Sequence, residues 1–269
     1  MNPSTARASA TTLARQVSSL LVPAAIVSSK TLAIYQDSLA KSTHLRQGNF
    51  QALSTEDLQR LFDRYDADFF QGALRQEVNA QAGGRLTFRL SRRMTSTGGT
   101  TARFRQRVAT PAGTVPQTRY EITVSTTLLY QTFADLERTV RVNGLECHDR
   151  LEALQRVFEH ELLHLVEMLA WGNSQCSAPR YKGLARNIFA HTDVKHELVL
   201  QRERAARHYE VRTGDRVRFE FEGQAREGVV NRITRRATVL VENPGGQPYN
   251  DGKRYLKFYI PLGMLSKAE

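Results

Sequence analysis

Residues 149–172 read DRLEALQRVFEHELLHLVEMLAWG, a stretch with a helical pattern of apolar residues. At about 100° of rotation per helical residue, the large apolar side chains fall within roughly 80° of arc. They are Leu151, Leu154, Phe158, Leu162, Leu165 and Leu169. Because such a stripe must be buried, the pattern predicts a long core helix over about residues 149–170. Gly172 and Asn173 are expected to end it.

The same helix contains His160-Glu161-Leu162-Leu163-His164. Histidines at i and i+4 project from one side of a helix, where both reach a single metal ion. On the helical wheel they point away from the centre of the apolar stripe, so we expect them to face a cleft. Glu161 is placed to act as general base on a zinc-activated water. The pattern is the H-E-x-x-H signature of zinc peptidases, and two surface histidines are the alternative interpretation.

Flanking segments alternate between helix and strand patterns. Ser54 with Asp57 forms a capping box before a helical run of apolar residues. Residues 85–90 and 120–124 alternate between apolar and polar residues, which is typical of strands. Pro179 is a favoured first-turn residue and predicts a further helix.

From about Val211 the hydrophobic period changes to two, with turns at 222–223 and 244–246. Four or five short strands in this stretch predict a small closed barrel of SH3-like type. Its basic and aromatic residues suit nucleic-acid binding, with a peptide-binding or structural module as the alternative. They are Arg226, Arg232, Arg235, Arg236, Lys253, Arg254, Lys257, Tyr249, Tyr255, Phe258 and Tyr259.

These segments predict an α+β chain of four parts. Residues 1–50 form a weakly ordered or helical N-terminal extension, and residues 51–196 a helical core with a small mixed sheet. Residues 197–209 form a helical linker, and residues 210–269 the barrel. No internal repeat is evident.

Composition restricts the partners. The net charge of +11 favours an anionic partner, with nucleic acid first and an acidic membrane surface second. The excess is spread along the chain, so a protein that is merely basic is the alternative. The longest apolar run, residues 20–27, is too short for a bilayer that needs about 20 residues. Two cysteines exclude a disulfide scaffold and indicate a reducing, cytoplasmic setting, with nucleoid association left open.

The order of these elements resembles the SprT-like metalloprotease family over about residues 55–192. The matching stretches are 61–65, 69–74, 120–125, 160–164 and 171–172. The resemblance implies a SprT-like zincin core that binds Zn²⁺ and cleaves protein or peptide substrates, some of them attached to DNA. Bacterial members take a third zinc histidine from an H-G-x-x-[FW] element. Here Ser177 occupies that position, so the chain departs from the family pattern.

A zinc peptidase needs a third protein ligand besides His160 and His164. Cys176 lies on the adjacent loop, and a thiolate is an excellent zinc ligand, so it is our first choice. Three alternatives remain open. Glu167 shares the histidine face but lies about 10 Å of helix rise from His160. His191 and His196 follow the next helix.

The sequence therefore predicts a cytoplasmic zinc endopeptidase with Glu161 as the catalytic base. His160, His164 and Cys176 are the predicted metal ligands. The alternative is a non-catalytic nucleic-acid- or protein-binding adaptor that retains a zincin fold. The change at Ser177 favours the adaptor, whereas the presence of Glu161 argues against it.

Overall fold

The computed structural model describes residues 3–110, 113–134, 138–234 and 236–268. The chain divides into two compact units, residues 1–198 and 199–269. The first unit contains α1 (Pro3–Ser19), α2 (Ala24–Lys41), α3 (Thr55–Phe70), α4 (Ala73–Ala80), β1 (Arg85–Ser91), β2 (Gly99–Thr110), β3 (Gly113–Ser125), α5 (Thr126–Gln131), β4 (Val140–Val142), β5 (Leu145–Cys147), α6 (Arg150–Trp171) and α7 (Pro179–Phe189). The second contains α8 (Gln201–His208), β6 (Arg216–Phe221), β7 (Gln224–Ile233), β8 (Ala237–Pro248), β9 (Arg254–Ile260), a 3₁₀ turn (Leu262–Met264) and β10 (Ser266–Lys267). The α+β class is confirmed.

Helix α6 is the central element of the first unit. Asp149 caps its N-terminus by accepting a hydrogen bond from the Glu152 amide at 2.8 Å. Gly172 ends it in the left-handed conformation, at φ 77°. Every residue of the predicted apolar stripe is buried, and so are residues on other faces such as Leu163 and Val166. The predicted core helix is confirmed, and neighbouring elements cover it on more sides than the stripe alone requires.

A three-stranded sheet packs against α6. Its strand order is β1-β3-β2, with β1 parallel and β2 antiparallel to β3. The strands predicted over residues 85–90 and 120–124 are confirmed as β1 and part of β3. In the part of the chain that the structure describes, β2 pairs only with β3 and is therefore an edge strand. This edge passes alongside the motif region of α6.

The N-terminal segment is helical, which is one of the two forms expected for residues 1–50. Residues 3–41 form α1 and α2, and Val17, Ile34 and Phe50 are fully buried within the first unit. Both helices belong to the compact unit that extends to residue 198. The buried positions of α2 are sparse and include Thr31, so their hydrophobic signal in the sequence is weak.

The length and apolarity of the helices bear on whether the chain could span a membrane. No single helix among the described residues is long and apolar enough to cross a membrane. The segments Ala10–Ser19 and Ala24–Lys41 meet the length and composition criteria only when taken together, and they are bent by 116° relative to each other.

The second unit is built on an antiparallel sheet of order β10-β6-β7-β8-β9. Val217, Phe219 and Val239 lie in its core, and Ala205 of α8 is buried with them. The predicted linker helix is therefore part of this unit. Within the described residues no pairing joins β9 to β10, so the sheet is open, whereas the sequence predicted a closed barrel. Alternation specifies the buried face of each strand and leaves the pairing of the edges undetermined.

Candidate metal centre

Three side chains converge beside the middle of α6. His160 and His164 project from one face of the helix, and Cys176 lies on the loop between α6 and α7. The two Nε2 atoms are 3.2 Å apart. The ligand atoms of all three residues lie within 4.8 Å of one another. The structure thus brings the three predicted ligands together, although they come from two separate elements.

The His160 ring is oriented by an amide from the β4–β5 turn. Asn143 donates from Nδ2 to the Arg156 carbonyl at 2.7 Å, which leaves its Oδ1 facing Nδ1 of His160 at 3.2 Å. Because that oxygen only accepts, Nδ1 of His160 carries the proton. The lone pair of the neutral ring is therefore on Nε2.

The His164 ring is oriented in the same sense by a different chain of partners. Ser174 donates from Oγ to Oε2 of Glu167 at 2.6 Å, so its oxygen accepts the Nδ1 proton of His164, also at 2.6 Å. Arg180 holds the other oxygen of Glu167 at 2.6 Å. The lone pair of His164 is again on Nε2. Hydrogen-bonded outer partners of this kind are typical of metal-bound histidines.

These tautomers make two nitrogen lone pairs face each other at 3.2 Å. Burial holds the pKa of both rings below its ordinary value, to about 3 for His160, where the neighbouring His164 contributes as well. Neither ring therefore supplies a proton to the gap at neutral pH, and the facing lone pairs repel each other. A cation between them removes that repulsion. The donor set of two imidazoles and one thiol fits zinc.

Glu161 lies next to these ligands with its carboxylate in the same cleft. Its Oε2 accepts a hydrogen bond from Oγ1 of Thr101 at 2.9 Å. No described group donates a hydrogen bond to its Oε1. Burial raises the pKa of Glu161 to about 8, and the hydrogen bond from Thr101 opposes that rise. The carboxyl group is thus suited to exchanging protons near neutral pH.

Edge strand β2 sets the position of the Glu161 side chain. The single hydroxyl proton of Thr101 is shared between Oε2 and the backbone carbonyl of Glu161, which lie 2.9 and 2.8 Å from Oγ1. A Cβ added at Gly99 would lie 2.7 Å from Cγ of Glu161. The carboxylate therefore needs a glycine at position 99 to occupy its place.

Tyr181 of α7 covers the two histidines. Its ring centroid lies 5.2 Å from that of His160 and 4.8 Å from that of His164. Its hydroxyl donates to the His160 carbonyl at 2.9 Å. The ring thus limits the access of water from this side. Because its hydroxyl is already bonded, Tyr181 is not a free donor to a substrate in this conformation.

The other predicted ligand candidates are engaged elsewhere. Glu167 binds Ser174 and Arg180 and acts on the site through His164. His191 binds Glu159 from Nε2 at 2.8 Å and is buried. His196 lines the cleft, and its Nε2 accepts a hydrogen bond from the Gly98 amide at 3.1 Å. Among the described residues, only Cys176 joins the two motif histidines within ligand distance.

Cys176 and Ser177 face different surroundings, although they are adjacent. Cys176 is half-buried and lines the metal cleft with His160 and Glu161, a space of about 190 Å³. Ser177 lines a separate pocket against α7. The side chain available to the cleft on this loop is thus the one that precedes the position expected from the family pattern.

Basic and aromatic side chains meet in the second unit. Arg226 lies over the ring of Phe258 at 5.0 Å, and Lys257 over that of Tyr249 at 5.5 Å. Tyr259 is 60% exposed. Arg235 lies outside the described residues. The surface thus presents the residue types expected for nucleic-acid binding, and it contains no catalytic constellation among its described residues.

Sequence reasoning missed the residues that orient the centre. They are Thr101, Asn143 and Ser174, and each contacts a motif residue from another element. The contacts of Thr101 and Asn143 span 60 and 17 positions, and no spacing rule indicates them. Ser174 is the exception, since it follows the helix end and lies ten positions from His164. A polar residue just beyond a metal helix is a usable signal for such a partner.

The chain was compared with models of protein families, with curated proteins and with solved structures. No family model, curated protein or solved structure matches it. The side-chain geometry around His160 and His164 is therefore the basis on which a function is inferred.

Proposed function

We propose that the chain is a zinc-dependent endopeptidase of the SprT-like type. The observation that carries this proposal is the pair of imidazole lone pairs facing each other at 3.2 Å beside the carboxylate of Glu161. A purely structural zinc site needs four protein ligands and has no use for such a carboxylate. Three donors with a neighbouring base leave one coordination position for water, as in catalytic sites.

The metal and the side chains of the protein contribute different parts of the proposed reaction. Zinc, when bound by His160, His164 and Cys176, supplies a Lewis acid that lowers the pKa of a water molecule. Oε1 of Glu161, to which no described group donates, would be the acceptor for a proton from a water molecule in the cleft. Thr101 holds the other oxygen in place during the transfer.

Hydrolysis then adds water across the peptide bond. The water oxygen forms a bond to the carbonyl carbon, and the proton held at Glu161 passes to the amide nitrogen as the C–N bond breaks. The second proton of the water also passes to the leaving nitrogen, so the products are a carboxylate and a protonated amine. Tyr181 keeps the two histidines covered throughout, which restricts water to the open side of the cleft.

The unpaired side of β2 suits a protein or peptide substrate. An extended chain can add to such an edge by backbone hydrogen bonds, with little demand on its side chains. The edge runs past Gly99 and Thr101, next to Glu161. We propose this strand as the substrate-binding edge, with proteins associated with DNA among the substrates because of the charge of +11.

The finer fold assignment is part of the same proposal. Helix α3, the sheet β1-β3-β2, helix α6 and helix α7 follow one another as expected for a SprT-like zincin core over residues 51–196. The five-stranded sheet after residue 210 supports an SH3-like module. We place the protein in the cytoplasm, in keeping with its two free cysteines.

A second candidate function is a nucleic-acid- or protein-binding adaptor without catalysis. The pairs Arg226–Phe258 and Lys257–Tyr249 favour it, because stacked basic and aromatic groups bind nucleic acid. The enzyme and the adaptor place different requirements on Glu161. Only the enzyme needs its carboxylate.

Substitution of Glu161 separates the two. We expect Glu161→Gln to keep its zinc while the rate of cleavage of an unfolded protein such as casein falls about 10²–10⁴-fold. Glu146→Gln, at an exposed carboxylate on β5, is the matched control and should cleave at the wild-type rate. A zinc-loaded wild type that cleaves no protein, alone or with DNA, would support the adaptor instead.

A further inference from the structure

A second pocket lies between α7 and the segment 191–195. It has a volume of about 400 Å³ and adjoins the metal cleft, with which it shares Val194 in its lining. The charged or polar residues that bear on its chemistry are Ser177, Lys182, Arg186, His191, Asp193 and Lys195. The proposed peptidase chemistry uses none of them.

The charge of this pocket is unbalanced. Lys182 and Arg186 stand one helical turn apart on α7, and Lys195 faces them from the following segment. In the described part of the chain, none of the three lies within ion-pair distance of a carboxylate. Asp193 is the single acid in the lining, and its Oδ1 accepts a hydrogen bond from the Val194 amide. Three cations against one acid leave a formal charge of +2 around the pocket.

His191 adds a buried polar atom that lacks a partner. Its side chain is 1% exposed, and its Nε2 binds the carboxylate of Glu159 at 2.8 Å. Its Nδ1 is buried and has no hydrogen-bond partner among the described residues. A buried nitrogen without a partner is costly, and a ligand group that meets it removes that cost. Two independent features, the charge and the free Nδ1, thus point to a ligand.

We propose that this pocket binds a terminal phosphate group. A phosphate monoester or inorganic phosphate carries a charge of about −2 near neutral pH, which matches the lining. Its oxygens accept from lysine and arginine, and it bears either an oxygen or a hydroxyl that can meet Nδ1 of His191. A carboxylate or an internal phosphodiester carries half that charge and matches less well.

Two sources share this chemistry. A small phosphorylated molecule is one, and the phosphorylated end of a nucleic-acid strand is the other. The pocket adjoins the loop that bears Cys176, because Ser177 belongs to its lining. Either source would thus be held next to the metal cleft without occupying it.

Titration calorimetry of the full chain with inorganic phosphate, at constant ionic strength, tests the proposal. We expect saturable binding at about one site per chain, with acetate giving none. Arg186→Gln and Lys195→Gln should each weaken it at least about fivefold, since each removes one of the three cations. Arg85→Gln removes an exposed charge on β1, outside the pocket, and should bind as the wild type does.

A further variant separates the pocket from the metal. His164→Ala, which removes a proposed zinc ligand, should bind phosphate as the wild type does. Loss of phosphate binding in His164→Ala would assign it to the metal and overturn the proposal. Absence of saturable binding, or equal weakening by Arg85→Gln and Arg186→Gln, would overturn it as well.

The source is distinguished by two oligonucleotides of one sequence, with and without a 5′-phosphate. Preference for the phosphorylated form that disappears in Arg186→Gln assigns the pocket to nucleic-acid ends. Equal binding of the two forms, together with binding of a nucleoside monophosphate that Arg186→Gln weakens, assigns it to a small ligand. The proposed peptidase activity enters none of these readouts, so its failure would leave this proposal standing.

Discussion

Helix α6 contributes two buried carboxylates that lie two residues apart and have opposite surroundings. Glu159 accepts from Tyr65 at 2.7 Å, from Arg156 at 2.8 and 2.9 Å, and from His191 at 2.8 Å. Glu161 accepts one side-chain hydrogen bond, from Thr101. The first carboxylate is fully paired, whereas the second keeps an oxygen free in a cleft beside two imidazoles.

The contrast separates a structural cluster from a chemical one. Arg156 and the hydrogen bonds to Glu159 offset the cost of burying that carboxylate and hold its pKa below the ordinary value. Glu161 lacks a cationic partner among the described residues, and burial raises its pKa. Both residues are buried acids on one helix, so burial alone does not indicate function. What indicates function is the carboxylate oxygen of Glu161 that accepts no hydrogen bond from a described group.

The largest expected effect comes from removing the charge of Glu159, which pairs with Arg156 and His191. Glu159→Gln should lower the free energy of unfolding by about 3–5 kcal/mol, because it leaves Arg156 with an uncompensated buried charge. Glu161→Gln is the matched variant and should not lower it, because burial raises the pKa of Glu161 and so penalises a charged form that glutamine lacks. Urea denaturation of the zinc-free proteins measures both. Equal losses would contradict the distinction between the two carboxylates.

The second prediction concerns the partner of His164. Ser174→Ala removes the acceptor of its Nδ1 proton and should weaken zinc binding about 10–100-fold, measured by competition with a chelator. Ser54→Ala is the matched control, because that serine caps α3 and should affect stability by about 1 kcal/mol. The role given to Ser174 fails if both variants hold zinc as the wild type does.

A third prediction concerns the strand that places Glu161. Gly99→Ala should cost about 1–3 kcal/mol of stability and reduce the cleavage rate while zinc remains bound, because the new methyl group displaces the carboxylate. The matched control for Gly99→Ala is an alanine substitution at a glycine where the added methyl group contacts no other atom.

Gly183 of α7 provides that control and the smallest expected effect. A Cβ there meets no atom within 4 Å. Gly183→Ala should stabilise the protein by about 0.5–1 kcal/mol through helix propensity and leave cleavage unchanged. Thermal unfolding measures the stability of the two alanine variants, and a casein assay measures their cleavage rates. A wild-type cleavage rate in Gly99→Ala would contradict the role of β2 in positioning Glu161.

Local patterns predicted the elements whose signals are periodic. The capping box at Ser54 and Asp57 is present at the start of α3, and the leucine stripe is buried on α6. The spacing of His160, Glu161 and His164 was sufficient to place them on one helix. Cys176 was chosen by adjacency and zinc chemistry, and the structure places its ligand atom within 4.8 Å of those of the two histidines.

The features that sequence left undetermined depend on contacts between distant segments. Thr101 reaches Glu161 across 60 positions, and the open edge of the second sheet follows from pairing that alternation does not encode. The burial of α1 and α2 in the first unit was missed for a related reason. Few of the apolar positions of α2 are buried, and the surface that the two helices cover is supplied by elements such as α6.

Zinc content is the most direct test of the metal centre formed by His160, His164 and Cys176. We would measure zinc per chain by mass spectrometry in the purified wild type, His164→Ala and Cys176→Ser. We expect about one zinc in the wild type and loss of it in both variants, because each removes one of three donors. A wild type without zinc would contradict the metal centre, and full zinc in Cys176→Ser would contradict Cys176 as its third ligand.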